Sequence, residues 1–413
     1  MRCFGLDGLQ FNLKPPHGLA FAGLFLFLER FYMANVLSNL AADIYKSADT
    51  VARELVGVVP SATLNFSTDG AAIGDTIRSF ATRAAVVQSI TPSMTIPEGT
   101  DQTVDNKTMV IDQIASVQIP WTGEDMKHVN NGSGFETIYG AQIQQAIRAI
   151  ANTVETFAAG VAYKGASRAF GTAGTSPFAS NFNEIAELRQ ILVDNGATMD
   201  GTASLVLNTV AGTRLRNLAQ LQKVNESGND QLLRQGELLN LQGLMLKESA
   251  GISMSAAGTG SGYTTDTAGY AVGATVINMI SGTGSVPQGN VITFAGDTNQ
   301  YVVASGITAP GTITLAAPGL RKAIAGAATA ATVSASFSAN LAFKQSAIEV
   351  AMRPMANPVG GDAAVDSMVV QDPRSGLVFT VDAYKGFKKA MFMVSAVYGA
   401  KVWKPEFVAI LKG

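Results

Sequence analysis

The stretch that decides the fold is SGFETIYGAQIQQAIRAIANTVETFAAGVAYKG, residues 133–165. Large apolar residues recur along it at steps of 4, 3, 4, 3 and 4: Ile143, Ile147, Ile150, Val154, Phe157 and Val161. This spacing predicts a helix with one apolar stripe, which we call the spine helix. Ser133 and Glu136 fit a capping box at its start, and Gly165 is a typical stop. Such a helix spans roughly 45 Å, which suits a rigid beam across a flat subunit.

The composition indicates a subunit whose surface is covered by partners. Charged residues make up 15% of the 413 residues and hydrophobic residues 47%, whereas ordinary soluble proteins carry about 25% charged residues. A membrane protein would need an apolar run of about 18 residues or more. The longest run, residues 19–28, is shorter. We therefore expect an assembly subunit that has no membrane partner.

The sequence offers few residues for catalysis or for metal binding. It contains one cysteine, Cys3, and two histidines, His17 and His128, which is too few for a disulfide framework or a zinc cluster. His128 lies between polar residues, and we expect a loop histidine rather than the base of a catalytic triad. The glycine-rich strings lack the lysine of a phosphate loop. The prediction is a protein that is not an enzyme and that binds neither cofactor nor metal.

Residues 1–32 differ in character from the rest of the chain. They can be interpreted as a signal peptide, with Arg2 and Lys14 before the apolar run, or as a real structural arm. The third and preferred interpretation is a translation start placed too early. Residues 28–30 can be encoded by a purine-rich, ribosome-binding stretch just before the codon for Met33.

A long hairpin is predicted after an N-terminal arm at residues 33–79. Residues 80–125 contain two strand-like runs rich in Val, Ile and Thr. The polar tip between them carries the residues that we assign to assembly contacts: Glu98, Asp101, Asp105, Asn106 and Lys107. An isolated hairpin is marginally stable in water, so it should lie on another surface, either its own body or a neighbouring subunit. The alternative is two strands of an ordinary sheet.

The remaining segments predict an α+β body with a β-rich insertion. Residues 126–170 hold the spine helix, residues 171–252 alternate helix and strand, and residues 340–413 return to the body as apolar strands. Between them, residues 253–339 carry few charges and many short strands separated by Gly- and Pro-bearing turns. Such spacing favours a small barrel or sandwich. The alternative for this insertion is a flexible low-complexity spacer.

Several strings, taken in this order along the chain, resemble one family. They are SADTVARELVG (47–57), GAQIQQAIRAIANTVETFAAGVAYKGA (140–166), LAFKQSAIEVAMRPM (341–355), DPRSGLVFTVDAY (372–384) and YGAKVWKPEFVAIL (398–411). They resemble the HK97-type capsid fold of tailed bacteriophages and, within it, the P22-like coat proteins that carry an inserted β-barrel. The inserted segment itself matches only in its placement and its β-character.

The resemblance implies both architecture and function. The chain would consist of an N-arm, the hairpin called the E-loop, the spine helix, P- and A-domains and an inserted small β-barrel domain. It would be the major capsid protein of a virion, assembling in the host bacterial cytoplasm as hexamers and pentamers into an icosahedral shell. Implied partners are a scaffolding protein, a portal protein and packaged double-stranded DNA, held by weak non-specific contact. The E-loop would lie over the adjacent subunit.

Two other functions fit parts of the sequence. A bacterial nanocompartment shell of the encapsulin-like type uses the same fold around enzyme cargo, and a nearby cargo gene would indicate it. A secreted β-rich surface protein is the second, and it requires residues 1–32 to be a true signal peptide.

Overall fold

The computed structural model describes residues 57–67, 70–82, 91–94, 104–130, 135–222, 240–255, 257–371 and 377–413. The predicted leader at 1–32 and the first part of the predicted arm, residues 33–56, lie outside this range.

The described residues form a mixed, strand-rich α/β structure, in keeping with the expected α+β class. Its helices are α1 (Gly123–Asn130), α2 (Phe135–Lys164), α3 (Asn183–Asp194), α4 (Thr209–Arg216) and α5 (Ala219–Gln222). Its first strands are β1 (Thr63–Phe66), β2 (Thr76–Thr82), β3 (Val104–Val110), β4 (Gln113–Thr122), β5 (Arg168–Phe170), β6 (Ala203–Leu207) and β7 (Met245–Glu248). The middle strands are β8 (Ser261–Thr265), β9 (Val276–Thr283), β10 (Val291–Phe294), β11 (Gln300–Ser305), β12 (Gly311–Leu315) and β13 (Ala331–Val333). The last are β14 (Ala339–Lys344), β15 (Ile348–Arg353), β16 (Ala364–Gln371), β17 (Val378–Gly386), β18 (Lys389–Val402) and β19 (Val408–Lys412). Short 3-10 turns occur at Val59–Ser61, Gln345–Ala347 and Pro405–Phe407.

Helix α2 is the predicted spine helix, and it ends one residue before Gly165. Up to Val154 it buries three large residues of the predicted stripe, Ile147, Ile150 and Val154. After Glu155 the side chains that it buries are alanines: Ala158, Ala159 and Ala162. Phe157 is partly buried, and Val161 has intermediate exposure.

The spine helix packs on a six-stranded sheet, which has the order β1-β15-β18-β17-β16 with β4 paired to β18. Strand β4 pairs with β18 along ten residues, from Gln113 opposite Tyr398 to Thr122 opposite Lys389. Side chains of α2, β4, β15 and β18 share one apolar core with strands of the second sheet. The helix therefore lies across the sheet and ties both halves of the body together.

The second sheet begins in the body with the order β7-β6-β14-β19-β5. Helices α3 and α4 bury Ile185, Leu188, Leu192 and Leu215 in the core cluster that this sheet shares. From β5 the sheet continues into the predicted insertion, because Arg168 and Ala169 pair with Tyr301 and Gln300 of β11.

The strands of the insertion are connected in a ring. Each strand pairs with the next in the order β8-β9-β12-β11-β10-β13. A bridge between Thr264 and Ala330, with a 2.9 Å bond from Thr265 N to Thr329 O, returns to β8. The ring encloses its own apolar cluster, whose largest members include Tyr263, Phe294, Tyr301 and Leu320. Whether the insertion folds independently of the body stays a prediction.

The hairpin differs from the predicted 80–125 in its strands. Strand β2 pairs with β3, from Thr76 opposite Val110 to Thr82 opposite Val104, as a separate two-stranded ribbon. The predicted second run divides at Ile111 and Asp112, because β4 leaves the ribbon and pairs with β18 instead. Residues 91–94 of the predicted first run contain no strand, and the rest of that run lies outside the described residues.

Candidate assembly surfaces

The β2–β3 ribbon is anchored to its own body at its base. Gly74 N donates to Ile111 O and Ile111 N donates to Asp75 O, both at 2.9 Å. Ile111 is fully buried beside Val397 of β18. At Gly399, an added Cβ would lie 2.5 Å from the carbonyl oxygen at residue 110, so the ribbon approaches β18 as closely as glycine allows.

The structure describes three of the five predicted tip residues. Glu98 and Asp101 lie outside the described residues. Asp105, Asn106 and Lys107 lie in strand β3, opposite Ala81, Phe80 and Ser79, rather than in the turn. Lys107 Nζ donates to Trp403 O at 3.3 Å, so this side chain is directed back to its own body. A role of these five residues in assembly stays a prediction.

A second lysine, which the sequence reasoning did not single out, fastens the same junction. Lys401 Nζ donates to Thr108 O at 2.7 Å. Its ammonium also lies 5.0 Å from the centre of the Trp403 ring, within cation–π distance. The two lysines, Lys107 on the ribbon and Lys401 on the body, fasten the ribbon base from both sides.

Large apolar side chains are exposed beside the ribbon base and at the far end of the six-stranded sheet. Ile73, Val110 and Ile114, which flank the ribbon base, are about half exposed in the single chain, at 47–58%. On the edge strand β16, Val365, Met368 and Val369 are all more than half exposed. Because alternate residues of a strand face opposite sides, these three leave both faces of β16 uncovered.

The turn between β17 and β18 presents an exposed aromatic side chain among cations. Phe387 is 92% exposed, and Lys385, Lys388 and Lys389 around it are exposed as well. Gly123 N donates to Lys388 O at 3.2 Å, which fixes the turn against the start of α1. Aromatic side chains are enriched at protein interfaces, so Phe387 is a candidate contact residue.

One buried carboxylate on the spine helix was not anticipated from the sequence. Glu155 is 1% exposed. Its Oε1 accepts hydrogen bonds from Gly57 N (2.8 Å), Val58 N (2.7 Å) and Ser249 Oγ (2.6 Å). Its Oε2 accepts a bond from Val59 N at 2.8 Å. The only sequence signal is that this acid follows Val154 directly, beside the apolar stripe.

A buried arginine lies where the body meets the insertion. Arg168 donates from Nη1 to Asn299 Oδ1 at 3.1 Å and from Nη2 to Ile191 O at 3.3 Å. Its Nη2 lies 3.6 Å from Asp194 Oδ2. Burial lowers the pKa of this guanidinium and nearby Arg321 lowers it further, whereas Asp194 raises it. The group remains charged, because an arginine pKa starts above 12.

The described residues contain no group of acids, histidines or cysteines arranged to hold a metal ion. Among those same residues, no helix is long and apolar enough to span a membrane. His128 does not lie in a loop as predicted. It lies in the last turn of α1, and it is exposed.

Comparison with known proteins gives matches only among solved structures. No family model matches the chain, and no curated protein matches it. A structure from Mycobacterium phage Che8 is 16% identical with a TM-score of 0.46, over 97% of this chain and 98% of that one. The capsid of the cyanophage P-SCSP1u is 13% identical with a TM-score of 0.47, over 94% and 93%. The capsid of a native GTA particle is 12% identical with a TM-score of 0.42, over 94% and 97%. The solved structures to which the chain is similar thus include phage and GTA capsids, at TM-scores below 0.5.

Proposed function

We propose that the chain is a major capsid protein of a tailed bacteriophage or prophage. Its copies form hexamers and pentamers that close into an icosahedral shell around double-stranded DNA. The chain has no catalytic role in this function. The observation that carries the proposal is the β2–β3 ribbon, which is attached to its body at the base and pairs with no third strand among the described residues.

A two-stranded ribbon in water lacks a face on which to bury its side chains, and it is marginally stable. The contacts of Ile111 and Lys401 hold the ribbon at its base. The rest of the ribbon therefore needs another surface on which to pack. In a shell, the neighbouring copy supplies that surface, as the resemblance to E-loops implies. The segment 83–103, with Glu98 and Asp101, would make the outermost contact.

The apolar side chains exposed elsewhere support contacts between identical copies. Phe387 lies in the turn between β17 and β18, whereas Ile73, Val110 and Ile114 lie beside the ribbon base. These are two different patches of the subunit surface. Contacts between two different patches of identical chains generate rings when the rotation closes. The low content of charged residues, 15%, fits a surface that is largely covered in the assembly.

The finer assignments belong to the same proposal. The ring of strands β8–β13 would be the inserted β-barrel of a P22-like coat protein, and the six-stranded sheet with α2 would be the P-domain. A scaffolding protein would guide assembly, and a portal protein would replace one pentamer. The insertion is the feature that favours a phage shell over a nanocompartment.

The test is electron microscopy of particles made by the chain expressed with its neighbouring genes. We expect closed icosahedral particles in negative stain, and DNA in particles that are purified from phage or induced cells. A matched variant replaces residues 83–103 by Asn-Gly, which keeps the β2–β3 register and removes the outer loop. This variant should yield a folded, soluble subunit without particles.

Each outcome separates the alternatives. A chain that stays monomeric at high concentration with every neighbouring protein present contradicts a shell function. Closed particles that contain an enzyme and no DNA indicate a nanocompartment. Normal particles from the loop variant would contradict the contact assigned to residues 83–103 while leaving the shell function in place.

A further inference from the structure

The first described residues of the chain form a strap over the body. The strap, residues 57–66, consists of the 3-10 turn Val59–Ser61 and strand β1. Strand β1 pairs in parallel with β15 and lies at the edge of the six-stranded sheet. Arg353 Nη1 donates to Asn65 O at 2.6 Å and holds the far end of the strap.

Two side chains of the body hold the near end of the strap: Glu155, and Lys247, whose Nζ donates to Pro60 O at 3.4 Å. Three of the four hydrogen bonds to its carboxylate come from strap amides, at Gly57, Val58 and Val59. The fourth comes from Ser249. A carboxylate removed from water is highly unfavourable without such donors, and bonds from N–H groups to a charged acceptor are strong. Glu155 is therefore satisfied only while the strap is seated.

The same network reaches a second segment of the body. Gly251 N donates to Ser249 Oγ at 3.1 Å, and Ser249 Oγ donates in turn to Glu155. The packing around both glycines is tight: a Cβ on Gly251 would lie 2.9 Å from Glu155 Cγ, and one on Gly57 would lie 2.7 Å from Glu248 O. Residues 57–59 and 249–251, far apart in sequence, thus meet at one carboxylate.

We propose that Glu155 is a latch that makes the strap root and residues 249–251 open and close as one unit. A strap that lifts partly would leave the carboxylate dry with a single donor, so intermediate positions are unfavourable and the strap is either seated or released. Glu155 of the spine helix then controls whether Gly57, Val58 and Val59 are seated on the body. This inference goes beyond the proposed shell function, because it concerns a switch within one subunit.

The wild-type protein gives the first test, by native-state hydrogen exchange at low denaturant concentrations. The amides of Gly57, Val58, Val59 and Gly251 should exchange through one shared opening, below the free energy of global unfolding. Different opening free energies for Gly251 and the strap amides would overturn the proposal.

Two variants act on the latch from opposite sides. In Glu155→Gln the side-chain NH2 group faces the strap N–H groups, and in Gly57→Ala the new methyl group displaces the strap without changing the carboxylate. Each should speed exchange at residues 57–59 and at Gly251 by about tenfold or more, while Leu205 and Ile410 in the body sheet keep their protection. Glu187→Gln, an exposed acid on α3, is the control and should change none of them.

A third variant cuts the connection within the network. Ser249→Ala should separate the exchange of Gly251 from that of the strap amides, which keep their bonds to Glu155. Unchanged strap protection in Glu155→Gln would show that the other contacts of the strap suffice, and it would overturn the proposal. Faster exchange at Leu205 and Ile410 as well would assign Glu155 to global stability. If Glu155→Gln fails to fold, Gly57→Ala and the wild-type measurement decide.

Discussion

Arg168 and Asn299 are joined by a 3.1 Å hydrogen bond that crosses from the body to the ring of inserted strands. Arg168 lies in β5, which pairs on one side with β19 of the body and on the other with β11 of the ring. Its guanidinium also contacts Asp194 at the end of α3. One residue therefore connects three parts of the structure through its backbone and its side chain.

We expect Arg168→Met to lower the free energy of unfolding by about 2 kcal/mol. The methionine fills the volume, but the charge-assisted bonds to Asn299 and Asp194 are lost. This loss of stability is smaller than the loss expected for a fully buried ion pair. The Asp194 side chain is 36% exposed, so solvent screens its attraction to Arg168. Urea denaturation followed by circular dichroism measures it. The control Arg189→Met, at an exposed position of α3, should stay within about 0.5 kcal/mol of wild type. Equal stabilities for the two variants would contradict the role of Arg168.

The next prediction concerns a large apolar residue that the spine helix buries. Ile150 is 2% exposed, so Ile150→Asp creates a cavity and buries a carboxylate without a partner. These effects together cost several kcal/mol, which approaches the total of about 5–15 kcal/mol that stabilises a domain. We expect insoluble subunits and no particles. Gln144→Asp, at an exposed position of the same helix, should give soluble subunits. Soluble expression and particle yield of both variants, side by side, provide the measurement.

The sequence predicted the spine helix and its end at Gly165 because both depend on local signals. It did not predict the face that the helix buries after Glu155, where alanines take the place of large residues. A stripe drawn through the large residues Phe157 and Val161 follows side-chain size, whereas the sheet contacts Ala158 and Ala162 because alanine lets the helix approach closely. Phe157 instead packs edge-on against Tyr398, with ring centres 5.4 Å apart.

Long-range pairing explains the other differences between prediction and structure. Nothing local in residues 108–121 indicates that the strand divides after Val110, because its second part pairs with β18, far along the chain. Glu155 was missed for a similar reason. Most of its donors are backbone amides at 57–59. Every residue except proline has such an amide, so the sequence does not indicate which ones bind Glu155.

The buried face of α2 predicts that a larger side chain is tolerated at Val161 but not at Ala158. Ala158 is fully buried against the core, so Ala158→Leu adds three carbon atoms where there is no space. Overpacking of this kind costs about 1–3 kcal/mol. Val161→Leu, at a half-buried position, should change the free energy of unfolding by less than about 1 kcal/mol. Chemical denaturation of both variants is the measurement. If Val161→Leu loses more free energy of unfolding than Ala158→Leu, the apolar stripe predicted from the sequence is the buried face.

Lys412 predicts a pH-dependent stability difference. Its side chain is buried, with Nζ 3.4 Å from Ser334 Oγ and 6.0 Å from the centre of the Phe337 ring. Burial lowers the pKa of this ammonium below its usual value of 10.5. Below the lowered pKa both folded and unfolded states are protonated, and burying the charge reduces stability in full. As the pH rises through the lowered pKa towards 10.5, the folded state loses its proton first and stability increases.

Lys412→Met should therefore be more stable than wild type at pH 7, by about 1 kcal/mol. The advantage should shrink as the pH rises towards 10.5. Thermal or urea unfolding of both proteins at a series of pH values tests this. Lys404→Met, which removes a lysine that is only half buried, is the control for the loss of one positive charge. An advantage that grows with pH would contradict the assigned cause.

The last prediction concerns the ring of inserted strands, expressed alone as residues 257–336. The ring closes on itself through the bridge between Thr264 and Ala330, and it encloses a cluster that includes Tyr263, Ile313 and Leu320, all nearly or fully buried. A domain of this size buries enough surface to fold alone, although with little margin. Separation removes the pairing of β11 with β5 and the bond from Arg168, so the segment should be less stable than in the whole chain.

We still expect β-type circular dichroism and one cooperative thermal transition. The matched variant Ile313→Asp places a charge in the enclosed cluster and should abolish the transition. A wild-type segment without any transition would mean that the ring requires β5 and Arg168 as its template, which makes it part of the body sheet rather than a domain.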